Sequence, residues 1–400
     1  MKAAPHIAVI GAGVFGAWIA LHLLERGARV TLLDAWGPGN SRASSGGETR
    51  IMRAAYGPDQ PYTEMAVRAM TLWQKYERKW TRQFLHRTGV LWMAADRDDE
   101  FERGSIEMLR ATKVKFQELS AAQLKKRWPQ INFEGIPWGI FEPESGYLEA
   151  RASCQAVVDA FIAAGGTYRQ AAVAADSVET PNGHVGTAAP AVQSSEARQS
   201  PTKLRSVILS DDTRLKADQY VFACGPWLGK LFPQTIGNHI RATKQDIFFF
   251  GTPPGDPRFD SAHLPVWGDH LGHFRYGIPA SDNRGFKVAD DTRGPDFDPT
   301  SGERVASQET LEDIRNYIAF RFPALKDAPL VETRVCQYEQ TPDSHFIIDR
   351  HPQNENVWIV GGGSGHGFKH GPAIGEMMAE LILKDREPQA IWKLERFQTQ

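Results

Sequence analysis

The sequence predicts a mixed α/β fold, in which a Rossmann-like parallel unit is joined to a second unit built on an antiparallel sheet. Three observations predict it. Near the N-terminus, "HIAVIGAGVFGAWIALHLLERGARVTLLDAW" reads as a buried strand, a glycine turn, a helix and a second strand. Near the C-terminus, "NVWIVGGGSGHGFKHGPAIGEMMAELIL" again passes from a buried strand through a glycine-dense loop to a helix. Between them, "IRATKQDIFFFGT" and "HFRYGIPASDNRGFKVAD" alternate as antiparallel strands do.

Each piece of the N-terminal passage has a physical task. Ile7–Ile10 is a continuous apolar run, as expected of a strand covered on both faces. Gly11, Gly13 and Gly16 then form G-x-G-x-x-G. Gly11 permits the tight turn, and Gly13 lets the backbone approach a pyrophosphate. Gly16 allows the helix to pack close to the strand, so that its positive end faces the phosphates. Ala17, Ala20, Leu21 and Leu24 follow at helical spacing, and Gly27 stops the helix. The second strand, Arg29–Leu33, ends on Asp34, 18 residues after Gly16, where a carboxylate can accept from a ribose 2′-hydroxyl. The set predicts dinucleotide binding and does not choose between NAD and FAD.

After Asp34 the chain starts no further simple crossover. It enters "GPGNSRASSGGETRIMRAAYG", small and polar, with Arg50 and Arg53 three residues apart. Residues 63–85 and 101–112 carry helical patterns, and "LKKRW" at Leu124–Trp128 reads as a solvated helix face. Ala150–Ala163 is a helix ended by Gly165-Gly166. Thr187–Thr202, rich in Ala, Ser and Pro, reads as a mobile loop or hairpin tip without function. Gln219–Ala223 is a strand running into a Gly225-Pro226 turn, with Cys224 as a small packing residue beside it. Thr310-x-x-Asp313 resembles the capping box of a helix that runs to about Arg321. In the C-terminal passage, Val357–Val360 is the strand and Gly371–Leu383 the helix. The loop between them holds Gly363, Gly365, His366, Gly367 and Lys369. Glycine loops at opposite ends of the chain suit one long cofactor gripped at both its nucleotide and its ring, which points away from NAD.

Composition removes several function classes. With 400 residues, two domains or one interleaved body are expected. A net charge of −2 and no long basic run give no case for nucleic acid. No apolar run reaches the ~18 residues of a membrane span, and a strand entered by His6-Ile7 leaves no room for a signal peptide. Three cysteines, two of them in apolar surroundings, argue for a reducing compartment, so the expected location is the cytoplasm. "HLPVWGDHLGHFRY" offers His263, Asp269, His270 and His273, but the spacing matches no tight ligand pattern and no metal is expected. The third cysteine, Cys336, stands alone in the polar run "ETRVCQYEQTPDSHFIID" before a strand-like Phe346-Ile347-Ile348. From the residues alone it is equally a buried filler, a nucleophile or a cofactor anchor.

With these motifs in hand, the chain resembles the FAD-dependent amine oxidases of the D-amino-acid-oxidase superfamily, in particular the monomeric sarcosine oxidase and N-methyltryptophan oxidase group. The resemblance covers nearly the whole length. It rests on the first glycine turn, "GETRIMRAAYG", "YGIPASDNRGFK", "VCQYEQTPDSHFIID" and "GSGHGFKHGPAIGE", in the family's order. It implies FAD, joined to Cys336 through its 8α carbon, a step in which a thiolate attacks an electron-poor flavin. It implies Arg53 and Lys369 as partners of a substrate carboxylate. Arg50 is implied close to the flavin ring, and Tyr276 and His366 in the active site. Lys287 is implied as a fixed positive charge that promotes reaction of reduced flavin with oxygen.

The implied reaction oxidises an amine bearing a carboxylate to an imine, with oxygen taking the electrons and leaving as hydrogen peroxide. The alternatives on the same fold are a fructosyl-amino-acid oxidase or a flavin amino-acid dehydrogenase, and outside it an NAD-dependent dehydrogenase. The family pattern also implies a monomer and interleaved domains. Residues 1–84, 148–226 and 336–400 would hold FAD, and 85–147 and 227–335 would form the substrate domain. Two positions depart from the sarcosine-oxidising members, which carry histidines where this chain has Gly46 and Asp291. Both are expected at the substrate, and loss of a side chain at Gly46 is expected to open space for a bulkier or more polar amino acid than sarcosine.

Overall fold

The computed structural model describes residues 3–95, 100–174, 177–178, 202–281 and 284–398. Strands from both ends of the chain meet in one six-stranded sheet. Its order is Ile347–His351, Asn354–Gly361, Gln219–Phe222, His6–Ile10, Arg29–Asp34 and Thr167–Gln170. All neighbours are parallel except the first pair, which is antiparallel. His6–Ile10 is buried at every residue, as its unbroken apolar run requires. The helix Val14–Glu25 buries its first ten residues, packing against Gly371–Leu383 and Ala150–Ala163. A helix apolar on every side has to be enclosed in this way.

The second layer is an eight-stranded sheet. Its order is Leu330–Gln340, Arg241–Phe250, Phe286–Asp290, Arg275–Ile278, Val266–Asp269, Val90–Ala94, Trp138–Glu142 and Gln117–Ser120. Its pairs are antiparallel apart from Val266–Asp269 with Val90–Ala94. Trp267, Phe248, Phe250, Phe286 and Phe322 fill a core beneath it. A small sheet pairs Thr49–Met52 and Leu85–His86 with Gly146–Glu149 and carries Arg50.

This arrangement bears on several expectations. The expected domain limits at 147/148 and 335/336 fall inside the strands Gly146–Glu149 and Leu330–Gln340. The longer strand pairs with Arg241–Phe250 along its whole length, so Cys336 belongs to the antiparallel sheet. The helix expected over 63–85 is Gln60–Trp80, because Thr81 turns left-handed at φ 51° and Leu85–His86 is extended. The cap of Gln308–Arg321 is Ser307, whose side chain accepts from the Thr310 N–H, so Thr310 already lies inside the helix. In "LKKRW" the Lys and Arg residues are exposed, while Leu124 and Trp128 are buried in the core. The Ala/Ser/Pro-rich loop lies outside the described residues except for Thr202. No helix among the described residues is long and apolar enough to cross a membrane.

Candidate active site

The first glycine turn is held by close backbone packing. Gly11 has φ +101°, and a Cβ there would overlap the Ala223 carbonyl, while one on Gly16 would overlap that of Gly11. At Gly13 the nearest obstacle is Ser45 Oγ at 3.4 Å, so this backbone is open to approach. Gly13 is also the N-cap of Val14–Glu25 and has no side-chain cap of its own. Asp34 accepts from the N–H of Ala12 at 2.7 Å and from those of Trp36 and Gly37 at 2.8 Å each. Burial lifts its pKa against the pull of those three bonds. It therefore braces its own loop, with lone pairs left over for a ligand.

Both glycine loops line one cavity of about 330 Å³, in which Gly13 and Asp34 share the wall with Arg50, Gly363, Gly365 and Gly367. Gly365 has φ +83°, and a Cβ there would press on the Tyr338 ring at 2.7 Å. A Cβ on Gly367 would stand 2.8 Å from the Phe15 ring. Glycine is what keeps this wall open.

Beyond that cavity a group of side chains converges from strands far apart in sequence. Arg50 donates to the carbonyls of Thr49 (2.8 Å) and Ser44 (2.5 Å) and to Cys336 Sγ at 3.4 Å. Lys287 Nζ donates to the Thr49 carbonyl at 3.1 Å and lies 5.8 Å from the Tyr276 ring. The Tyr276 and Tyr338 hydroxyls are 3.4 Å apart, and Tyr338 donates to Asp291 Oδ1 at 2.8 Å. Burial and the Arg50 charge lower the Lys287 pKa to about 7. Burial thus works against the positive charge expected at Lys287. Burial raises Asp291 to about 6, opposed by the Tyr338 bond and by the charges of Arg53 and Lys369.

The Arg53 guanidinium lies 3.9 Å from the centre of the Tyr56 ring and 5.1 Å from that of Trp92, and it donates to the Ala55 carbonyl. Its backbone is anchored by the fully buried Glu142, which accepts from the N–H groups of Ala54 (2.8 Å) and Ala55 (3.3 Å), from Trp92 Nε1 (2.8 Å) and from Ser145 Oγ (2.9 Å). Lys369 Nζ donates to the Tyr56 hydroxyl at 2.8 Å and to the His366 carbonyl at 2.7 Å. Tyr56 OH is also 2.6 Å from His370 Nε2. Burial and the Arg53 charge push Lys369 well below the ordinary lysine range, while Asp291 pulls it back. Burial, then Lys369, drives His366 to about 3, so it is a neutral imidazole, with Nε2 3.0 Å from the Ser344 carbonyl. A second cavity of about 690 Å³ opens here, lined by Arg53, Tyr56, Tyr62, Phe101, His345 and His366.

The fold thus gathers Arg50, Lys287, Tyr276, Asp291 and Cys336 in one cluster. Arg53, Lys369 and His366 form a second, coupled to the first through Asp291. Gly46 joins neither. A Cβ there would overlap the Asn40 carbonyl, so the position faces backbone and opens no space for substrate. Tyr56, Tyr338, His370 and Glu142 were missed. The first two sit inside the quoted "RAAYG" and "VCQYEQ" runs and could have been read from them, and His370 directly follows Lys369. Glu142 lies in an apolar strand with no local signal. The four residues weighed as metal ligands are dispersed: Asp269 is paired with Arg321 at 2.7 Å, and His263, His270 and His273 face Asp260, Glu102 and Asp290.

Comparison with known proteins shows the family. The family model described as DAO, FAD dependent oxidoreductase, matches residues 6–381. Monomeric sarcosine oxidase of Bacillus sp. (strain NS-129) is 28% identical over 379 residues, spanning 94% of this chain and 92% of that protein. N-methyl-L-tryptophan oxidase of Yersinia pestis (strain Pestoides F) is 26% identical over 383 residues, 94% of each. The crystal structure of L-proline dehydrogenase from P. horikoshii shares the fold, with a TM-score of 0.81 at 21% identity, covering 100% of this chain and 99% of that one. The cavity suits a dinucleotide. The backbone at Gly13 is open, and Glu339 presents a buried carboxylate oxygen, Oε2, with no partner among the described residues.

Proposed function

The chain belongs to the DAO family of FAD dependent oxidoreductases, and from that premise we propose that it oxidises the C–N bond of an amino acid. The substrate carries a free carboxylate and a secondary or primary amine, and becomes an imine that water hydrolyses. The observation that carries this reading is the pair of cations, Arg53 and Lys369, that meet at Tyr56 and whose charges both act on Asp291.

Arg53 offers a planar fork for the substrate carboxylate, and Lys369 adds a point charge. The bound carboxylate in turn favours the charged form of this buried lysine. Asp291 is the counter-charge for the amino group, so the two ends of the amino acid are read by opposite charges. The amine must lose its proton before its α-hydrogen leaves, since a protonated nitrogen has no lone pair to donate. FAD, when bound, supplies the hydride acceptor. Gly11, Gly13, Gly16 and Asp34 would hold its nucleotide, Gly363, Gly365 and Gly367 the wall beside it, and Cys336 would anchor the ring covalently. Protonated Lys287, with Tyr276 beside it, supplies positive charge for reduction of oxygen to hydrogen peroxide.

The relatives' names point to N-methyl amino acids as the class. A cavity within the ~300–1,000 Å³ range of small-molecule sites, walled by Tyr56, Tyr62 and Phe101, favours a side chain larger than that of sarcosine. We place the enzyme, as a monomer, in a reducing compartment, in keeping with three free cysteines. The test is an anaerobic titration that follows the visible flavin absorbance. N-methyl amino acids with large side chains are expected to bleach it rapidly, the matching amines without a carboxylate to bleach it about a hundredfold or more slowly, and air to restore it with release of peroxide. Equal bleaching by amines without a carboxylate, or sarcosine outperforming every larger substrate, would contradict the proposal.

A further inference from the structure

Glu339 lies in the cofactor cavity, is 8% exposed, and has no ion-pair partner among the described residues. Burial raises its pKa to about 7 against the pull of the nearby Gly363 and Gly362 N–H groups, and Oε2 is left without a donor. Glycines surround the carboxyl, two of them at Oε2 and one at Oε1. A Cβ on Gly361 would stand 3.2 Å from Oε2, one on Gly225 3.7 Å from it, and one on Gly363 3.0 Å from Oε1. A buried acceptor left unpaired is costly, so the position calls for a donor that the protein itself does not provide.

The order of the sheet says where that donor comes from. Asp34 ends one strand, and the Gly11–Gly13 turn follows its neighbour His6–Ile10. Gly225 follows the next strand, Gln219–Phe222, and Gly361–Gly363 the one after it, on the side away from Asp34. Glu339 touches these last two loops. Cys336 lies three residues back along the same strand, about 10 Å in an extended chain. Ribose acceptor, diphosphate turn, Glu339 and Cys336 thus follow one another as ribose, diphosphate, polyol chain and ring do in FAD. The diphosphate has no donors at neutral pH and would repel the ionised form of Glu339, whereas the polyol hydroxyls are donors.

We infer that Glu339 accepts a hydrogen bond from a hydroxyl of the polyol chain that joins the flavin ring of FAD to its diphosphate. The inference rests on the FAD dependence of the family and not on the substrate or the covalent bond.

To keep binding reversible, full-length apoprotein carrying Cys336→Ser is titrated with FAD and with three analogues, each lacking one polyol hydroxyl, while flavin fluorescence is followed. Adding Glu339→Leu is expected to weaken FAD about tenfold or more. One analogue should bind the Cys336→Ser protein that weakly already and lose nothing further on Glu339→Leu. Glu339→Gln, which keeps an acceptor oxygen and the shape, should recover part of the affinity. If Glu339→Leu does not fold, judged by apoprotein melting, Glu339→Gln carries the same comparison, weakening FAD but not the selected analogue. Analogues that all bind like FAD, or an equal loss with every analogue, would overturn the inference. A parent protein that releases its flavin on denaturation would speak against the covalent anchor alone.

Discussion

The two ends of the cofactor cavity are made of different materials. At the nucleotide end, contacts come from backbone: Gly11 and Gly16 sit against carbonyls, and Asp34 collects three N–H groups from its own loop. At the ring and substrate end, side chains converge from distant strands, and most of them are ionisable and buried. Lys287, Asp291, Lys369 and His366 all have pKa values moved by that burial. At the first end Gly11 and Gly16 leave no room for an added atom, and three backbone N–H groups oppose the effect of burial on Asp34. At the second end the chemistry depends on proton occupancy.

The sharpest way to break this comparison is Arg53→Met. Loss of a buried, charge-assisted carboxylate contact is expected to lower kcat/KM for amino acids by about 10²–10³-fold, with little effect on amines that lack a carboxylate. Stopped-flow reduction with matched substrate pairs checks it, and an equal loss for both members would remove Arg53 from the carboxylate site. Lys287→Met comes next, with flavin reoxidation slowed about a hundredfold and reduction nearly unchanged. Because the Lys287 pKa is lowered to about 7, the ammonium is present below that pH and is lost above it. Parent reoxidation should therefore fall as pH rises through 7, and the Met variant should show no such limb.

At the nucleotide end, Gly16→Ala forces a Cβ against the Gly11 carbonyl. Overpacking of this kind typically costs about 1–3 kcal/mol, read as a lower melting temperature together with weaker flavin retention at every pH. The smallest effect is expected for Asp291→Asn, about tenfold in kcat/KM, the order of an exchanged charged hydrogen bond. The Asp291 carboxyl, raised to about 6, ionises above that pH. Parent kcat/KM should gain a rising limb near pH 6 that the Asn variant lacks. A limb that persists in the variant would assign it to another group.

The same contrast explains what could be read from the chain. The N-terminal passage was legible because each glycine there answers a local backbone need, and Ala150–Ala163 because Gly165-Gly166 marks its end. The helix expected over 63–85 ran too far because Phe84 and Leu85 continue the apolar spacing, while the left-handed turn at Thr81 leaves no local mark. Glu142 went unread because its four donors come from three segments that only the fold brings together. Gly46 was misread for the opposite reason. A missing side chain suggests space, but the space was already taken by the Asn40 carbonyl. Family membership and the mixed parallel and antiparallel fold were both legible. The titration of Lys287 was not, since burial is a property of the packed molecule.

The central claim is that one FAD spans both ends of the chain and is anchored through Cys336. The most direct measurement is acid precipitation of the purified protein, followed by absorbance spectra of pellet and supernatant. The account predicts a yellow pellet for the parent and a colourless one, under a yellow supernatant, for Cys336→Ala. A colourless parent pellet would contradict it and leave Cys336 as a packing residue beside Arg50.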